Sequence, residues 1–437
     1  MPSSWLSVAA AVLTHALAYA QVIPLECSGC SYGVQLSGNL TGLSHAGYGR
    51  LSPALPHSLV LTRFDAIPLL GKSYVSLVDL TTNSVTNLAT NIDWPNVPTI
   101  LDASVFGFPA VVVGAGFLVP SHTVGGVWVM EASGSPTKLK APVKITTDRR
   151  TSNFKIDAGW FYHKAVPVDM NGDGLQDLVT TRAAMSVWPF NPKMGKMVWL
   201  EQPRTDAFGG DAWTEHEILD GPDFLFSVAP KEILMRTSWT LAACAPEYIG
   251  ERLTFIYGSP ETGFRNRTID ADLGPGFGCS WADLNGDGVM DILATNHKNM
   301  NGSVFGYSWT GSLADPQTVV RKHVLASGFN AISTAKGTAA PGNAVAYFPS
   351  QAAQGKPLIL VSADNGNAIF NLAPRDPSNP DDWSYTKQFI ADIGADVGSI
   401  SIGDTDGDGF AEAYIPAYDL GHVSKFSFLK VPQEQDA

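Results

Sequence analysis

The stretch "DMNGDGLQD", residues 169–177, puts oxygen-bearing side chains at alternate positions with glycines between them. Calcium is a hard cation that takes six to eight oxygen ligands. Asp169, Asn171, Asp173 and Asp177 supply them from side chains, and Leu175 from its backbone carbonyl. The glycines let the chain curl tightly enough for these groups to converge. The same pattern recurs as "DLNGDGVMD" at 283–291 and "DTDGDGFAE" at 404–412. The corresponding sets are Asp283, Asn285, Asp287, the Val289 carbonyl and Asp291, then Asp404, Asp406, Asp408, the Phe410 carbonyl and Glu412. An EF-hand would need Glu at the twelfth loop position, between two helices. Those positions are Thr180, Ala294 and Ile415, and the flanks read as strands, so an EF-hand is rejected. About three structural calcium ions are expected.

The loops start 114 and 121 residues apart. Each spacing is close to twice 59, which predicts a repeat of about 59 residues with the acidic loop in alternate units. Apolar strands begin near Leu59, Ala110, Leu178, Leu241, Ile292, Leu358 and Ala413, at that average step. A third strand follows each, often opened by glycine, as in "GGVWVMEA" (125) and "GKMVWLEQ" (195). Most units add a more polar fourth strand, such as "WTEHEIL" (213) or "TVVRKHVL" (318). Four short strands in each of seven units predict an all-β, seven-bladed propeller. The last unit ends soon after its third strand. The segment 21–50 is then expected to supply the missing strand and close the ring, removing both exposed edges. The propeller proper is placed at 51–432, followed by a polar tail at 433–437.

On these loops and this strand pattern the chain resembles the FG-GAP/VCBS-repeat propellers, including the integrin α-subunit head. The "GKMVWLEQP" stretch followed by "WTEHEI" is also similar to the propeller part of fungal aldos-2-ulose dehydratases. The resemblance implies that each acidic loop joins the first and second strands of a blade on the lower face. It also implies a structural role for the metal and a ligand site on the opposite, upper face.

The surroundings suit a secreted protein. Residues 1–20 read as a signal peptide, with a short apolar run from Trp5 to Leu17 and the cleavage pattern Ala18-Tyr19-Ala20. Four cysteines fit an oxidising compartment, and the expected pairs are Cys27–Cys30 and Cys244–Cys279. Sequons at Asn39, Asn266 and Asn301 fit a glycosylated surface. No later stretch is long enough to span a bilayer. Lys and Arg number 28 against 41 Asp and Glu, a formal net charge of −13, which disfavours nucleic acid as a partner. Ten of those 41 acids lie in the three loops.

Upper-face ligand candidates are His122, Trp160, His163, Arg182, His297, Asp364 and Asn365, with Tyr162, Asn299, Asn367 and Tyr418 beside them. His122, His163 and His297 come from three blades and would suit a catalytic zinc if they converged. No nucleophile elbow, HExxH or phosphate loop is present. The preferred reading is a non-catalytic binding or adhesion module for an extracellular glycan or protein. The second reading is a carbohydrate lyase or dehydratase with its active site at the upper mouth of the channel.

Overall fold

The computed structural model describes residues 22–26, 32–40, 46–52, 57–63, 73–90, 92–116, 125–132, 141–147, 159–184, 194–235, 237–335, 337–418 and 420–431. Its strands form seven antiparallel sheets. Blade 1 runs through Ala46–Leu51, Ser58–Arg63, Tyr74–Asp79 and Val85–Ala89. In blade 2 the strands are Pro95–Leu101, Ala110–Ala115, Gly126–Glu131 and Val143–Lys144. Blade 3 comprises Phe161–Val168, Asp177–Ala184, Met194–Glu201 and Thr214–Asp220. Ser227–Val228, Leu241–Glu247, Arg252–Ser259 and Gly263–Asp270 make blade 4. Blade 5 follows as Gly276–Ala282, Asp291–Asn296, Gly302–Trp309 and Val320–Phe329. Blade 6 is Ala344–Tyr347, Leu358–Ser362, Ala368–Pro374 and Tyr385–Asp392. Every second strand lies within a residue of where the apolar repeat places it.

The second strands are apolar on both faces because both faces are buried, as in any sheet sandwiched between two others. Leu178 packs toward blade 2, while the next residue, Val179, packs toward blade 4. Each of the seven interfaces between neighbouring blades carries its own apolar cluster. Where backbones meet most closely, glycine is required. A Cβ on Gly114 would fall 2.7 Å from the Tyr162 carbonyl oxygen of the next blade. Pro167 sits on an innermost strand, at the edge of its sheet, where a missing N–H is tolerated.

Blade 7 contributes Ser401–Gly403, Glu412–Ala417 and His422–Lys430, and the N-terminal strand Tyr32–Leu40 completes it. Val34 pairs with Phe428, and Asn39 with Ser424. The expected closing segment is thus resolved into parts. Tyr32–Leu40 closes the ring, Ile23–Pro24 adds a fifth strand outside it, and Ala46–Leu51 is already the first strand of blade 1. Cys244 and Cys279 form a disulfide that joins the second strand of blade 4 to the first strand of blade 5. The Cys27–Cys30 pair and residues 1–20 lie outside the described residues. No helix among the described residues is long and apolar enough to cross a membrane.

Two outcomes follow. A chain lacking residues 1–40 exposes the free edges of Glu412–Ala417's partner strand and should self-associate in light scattering. The double variant Cys244→Ala/Cys279→Ala should keep its fold by circular dichroism and lose about 2–4 kcal/mol in denaturant unfolding.

Candidate functional site

The three acidic loops are the links between first and second strands of blades 3, 5 and 7, all on the lower face. They share one hydrogen-bond lattice. Asp169 Oδ1 accepts from the Gly172 and Asp173 N–H groups, and its Oδ2 from Gly174. Asp283 accepts from Gly286, Asp287 and Gly288 in the same way. Asp404 accepts from Gly407 and Gly409. At the far end of each loop a buried carboxylate turns back: Asp177 accepts from Met170, Asp291 from Leu284, and Glu412 from Thr405. The turns need glycine, since Gly172 and Gly174 stand at φ 73° and 86°. The residues whose carbonyls were expected as ligands, Leu175, Val289 and Phe410, donate their N–H to Asp173, Asp287 and Asp408.

These loops gather negative charge in half-buried places. Burial, together with the charges of Asp287 and Asp283, pushes the Asp291 carboxyl up to about 7. Burial also raises Asp177, with Asp173 and Glu201 adding to the shift, and raises Glu412 with Asp406 beside it. Asp404, Asp406 and Glu412 bring ligand oxygens within 4.8 Å of one another. Among the described residues they are the one cluster of His, Cys, Asp and Glu that meets that condition. The third strand braces the first loop. Glu201 accepts from Asn171 Nδ2 at 3.1 Å and meets His216 Nε2 at 2.7 Å, while His216 stacks on Trp199 at 4.2 Å. Gln202 N–H donates to Asp177, and Arg204 pairs with Asp173 at 2.9 Å. The "GKMVWLEQP" stretch is therefore a buttress for the loop. Only the register of third strand against loop reveals it.

The upper face gathers the links between second and third strands and those between blades. An arc of rings spans blades 3 to 5 there. His163 lies 5.0 Å from Phe224, Phe224 5.3 Å from Tyr248, Tyr248 6.1 Å from His297, and His297 4.6 Å from Phe277. The Asp223 carboxylate fixes the middle of the arc by accepting the N–H groups of Phe224, Tyr248 and Ile249. Its burial pushes it up to about 7. His297 Nε2 stands 2.8 Å from Asp364 Oδ2, while its Nδ1 is buried without a hydrogen-bond partner. Asp364 occupies the left-handed region at φ 47° and is tied down by Ser362 Oγ and the Val397 N–H.

The sequence candidates separate into three groups. His297, Asp364 and Asn365 meet on the upper face, where Asn365 binds Asp396 and the Ala339 N–H, and its carbonyl accepts from Ile332. Asn299 and Tyr418 serve loop architecture: Asn299 holds Ser333 and Thr338, and the Tyr418 N–H donates to Asp396. Asn367 ends the 3-10 turn after Asp364 in a left-handed conformation. Trp160, Tyr162 and Arg182 pack between blades 2 and 3, with the Arg182 guanidinium 4.5 Å from the Trp160 ring and 2.8 Å from Glu215. His122 lies outside the described residues. His163 and His297 do not converge on one point, because Phe224 and Tyr248 stand between them. Phe161, Phe224, Tyr248 and Phe277 escaped the sequence reading. Their signal is positional: each starts a first strand, follows a second one or precedes a new blade.

Seven four-stranded sheets in a ring define a β-propeller. No family model matches the chain, and no curated protein matches it either. Among solved structures it is similar to one described as the Dos1 propeller. That match has 11% identity and a TM-score of 0.49, covering 90% of this chain and 95% of the other.

Burial pushes the fully enclosed His163 down to about 3. Its folded pKa therefore lies below the unfolded value near 6.5. The stability it allows is complete above that value and is lost as pH falls toward 3, at about 1.4 kcal/mol per pH unit. His163→Leu should flatten the acid limb of a pH–stability curve by that slope. An unchanged limb would contradict a buried neutral imidazole.

Proposed function

We propose that the chain is a secreted β-propeller of the FG-GAP/VCBS type, held by calcium and binding an extracellular glycan or protein on its upper face without catalysis. The observation that carries the metal reading is the common lattice of the three loops. A first Asp caps the turn, two further oxygens follow at alternate positions, and a buried carboxylate returns from the next strand. All these donors are hard oxygens, as calcium prefers. The carboxylates repel one another in a half-buried site, and a divalent cation removes that repulsion. Three ions would bring the formal charge from −13 to about −7. The disulfide between blades 4 and 5 supports an oxidising compartment. Asn266 and Asn301 are exposed and suit glycosylation, whereas Asn39 is half-buried in the closing strand.

The binding reading rests on the upper-face arc. Half-exposed Tyr248 and Phe277 offer ring faces beside the His297–Asp364 pair, and Met300, Ile332 and Leu420 stand exposed on the surrounding loops. Aromatic faces with adjoining amides and carboxylates suit sugar stacking or a protein contact. One observation favours the alternative, a carbohydrate lyase or dehydratase. The His297–Asp364 pair orients an imidazole as an acid–base pair would.

Metal analysis of the purified protein should find about three calcium ions per chain, and Asp287→Ala should reduce that by one. Chelation should lower the melting temperature, since each site contributes about 2.7 kcal/mol at a hundredfold excess over its Kd. An unchanged melt in chelator would sink the metal reading. A glycan and ectodomain binding screen with wild type and Tyr248→Ala tests the face. Binding lost in the variant, with no product formed from acidic polysaccharides, supports a binding module. Turnover abolished by His297→Ala would support the enzyme instead.

A further inference from the structure

The closing strand Tyr32–Leu40 is tied to the acidic loop of blade 7 at both of its ends. At its start the Tyr32 ring stands edge-on to Phe410, with centroids 6.5 Å apart, and the Tyr32 hydroxyl is 3.0 Å from Ser350 Oγ of blade 6. Ser350 bridges to Phe410, and the Gln351 N–H donates to the Gly409 carbonyl. At its far end Leu40 packs in one cluster with Tyr414. The Tyr414 hydroxyl is 2.8 Å from Thr405 Oγ1, which donates at 2.7 Å to Glu412, the last carboxylate of the loop. Between the two ends Lys425 pairs with Gly38 in the ladder and reaches Asp406 Oδ2 at 3.8 Å.

Both neighbouring blades hold the same loop. Gln351 Nε2 of blade 6 donates to Asp404 Oδ2, and His57 Nδ1 of blade 1 lies 2.9 Å from the Thr405 carbonyl. The other two loops are seated differently. That of blade 3 is braced by Glu201, Gln202 and Arg204 of its own blade, and that of blade 5 takes the Tyr385 hydroxyl of blade 6 on its Leu284 carbonyl. The blade 7 loop also carries four carboxylates where the others carry three, and its Asp404, Asp406 and Glu412 oxygens converge within 4.8 Å. Without a cation those charges repel and loosen the loop. Loosening displaces Phe410, Thr405 and Glu412, on which the two ends of the strand depend. Ordering a strand from the far end of the chain costs conformational entropy that these contacts must offset. The coupling is reciprocal: whatever the metal adds to docking of the strand, docking adds to metal affinity.

Building on the calcium reading of the loops, we propose that calcium in the blade 7 loop controls closure of the ring. The metal orders the loop on which Tyr32–Leu40 docks, so the closing strand is held firmly in the loaded protein and opens when this one site empties. Opening leaves the edges of blade 7 unpaired, which is the state a ring exists to avoid. The sites in blades 3 and 5 stabilise the blades that carry them and leave closure unchanged.

The test is hydrogen exchange on the full chain, read by mass spectrometry over Tyr32–Leu40 in calcium and in chelator, with bound calcium counted in parallel. Chelation should speed exchange of those amides about tenfold or more. In calcium, Asp408→Asn should do the same. Asp287→Asn, at the matching position in blade 5, should leave the strand as in wild type. Tyr32→Ala should weaken one calcium site by about 5- to 10-fold and spare the other two. A wild-type chain that binds calcium yet protects Tyr32–Leu40 equally with and without it overturns the proposal and leaves the metal reading standing, whether or not the variants fold. So does equal loss of protection in Asp408→Asn and Asp287→Asn. A chain that binds no calcium overturns both.

Discussion

A ring of sheets holds only if its first and last blades meet without a free edge. The antiparallel pairing of Tyr32–Leu40 with His422–Lys430 meets that condition by joining two segments from opposite ends of the chain. It makes blade 7 a composite and ties the N-terminal segment to the last blade. All seven inter-blade cores depend on it, since each blade has apolar residues on both faces and none can be left uncovered. The cluster between blades 7 and 1 shows the link: Leu40 and Val423 of the closing pair pack with Leu59 and Leu61.

Within that frame the two ends of the channel carry different chemistry. The lower face gathers carboxylates into three loops on blades 3, 5 and 7. The alternate blades fill the same position otherwise. Blade 2 has a short helical turn, Ala103–Phe106, capped by Asp102, and blade 4 has another at Lys231–Leu234. The upper face gathers rings, a His–Asp pair and strained backbone at Asp364. A left-handed Asp held by contacts from two sides is the sort of local cost that persists where the surroundings over-determine it.

What the sequence by itself determined is local and periodic. The D-x-[DN]-G-D-G-x-x-[DE] pattern dictates a tight loop because its glycines and oxygens act within nine residues of one another. The apolar step of about 59 residues dictates the number of blades because every sheet needs the same two faces covered. The missing last strand dictates that the chain must borrow one. Tertiary structure decided whatever depends on which distant groups meet. The trimming of the closing segment to nine residues, the buttress of Glu201 and His216 behind Asn171, and the meeting of His297 with Asp364 across 67 positions are of this kind. So is the separation of His163 from His297 by two rings. In sequence these residues are isolated letters in unrelated strands. Only the angle between blades brings some to the axis and leaves others, such as Trp160 and Arg182, to pack inside the wall.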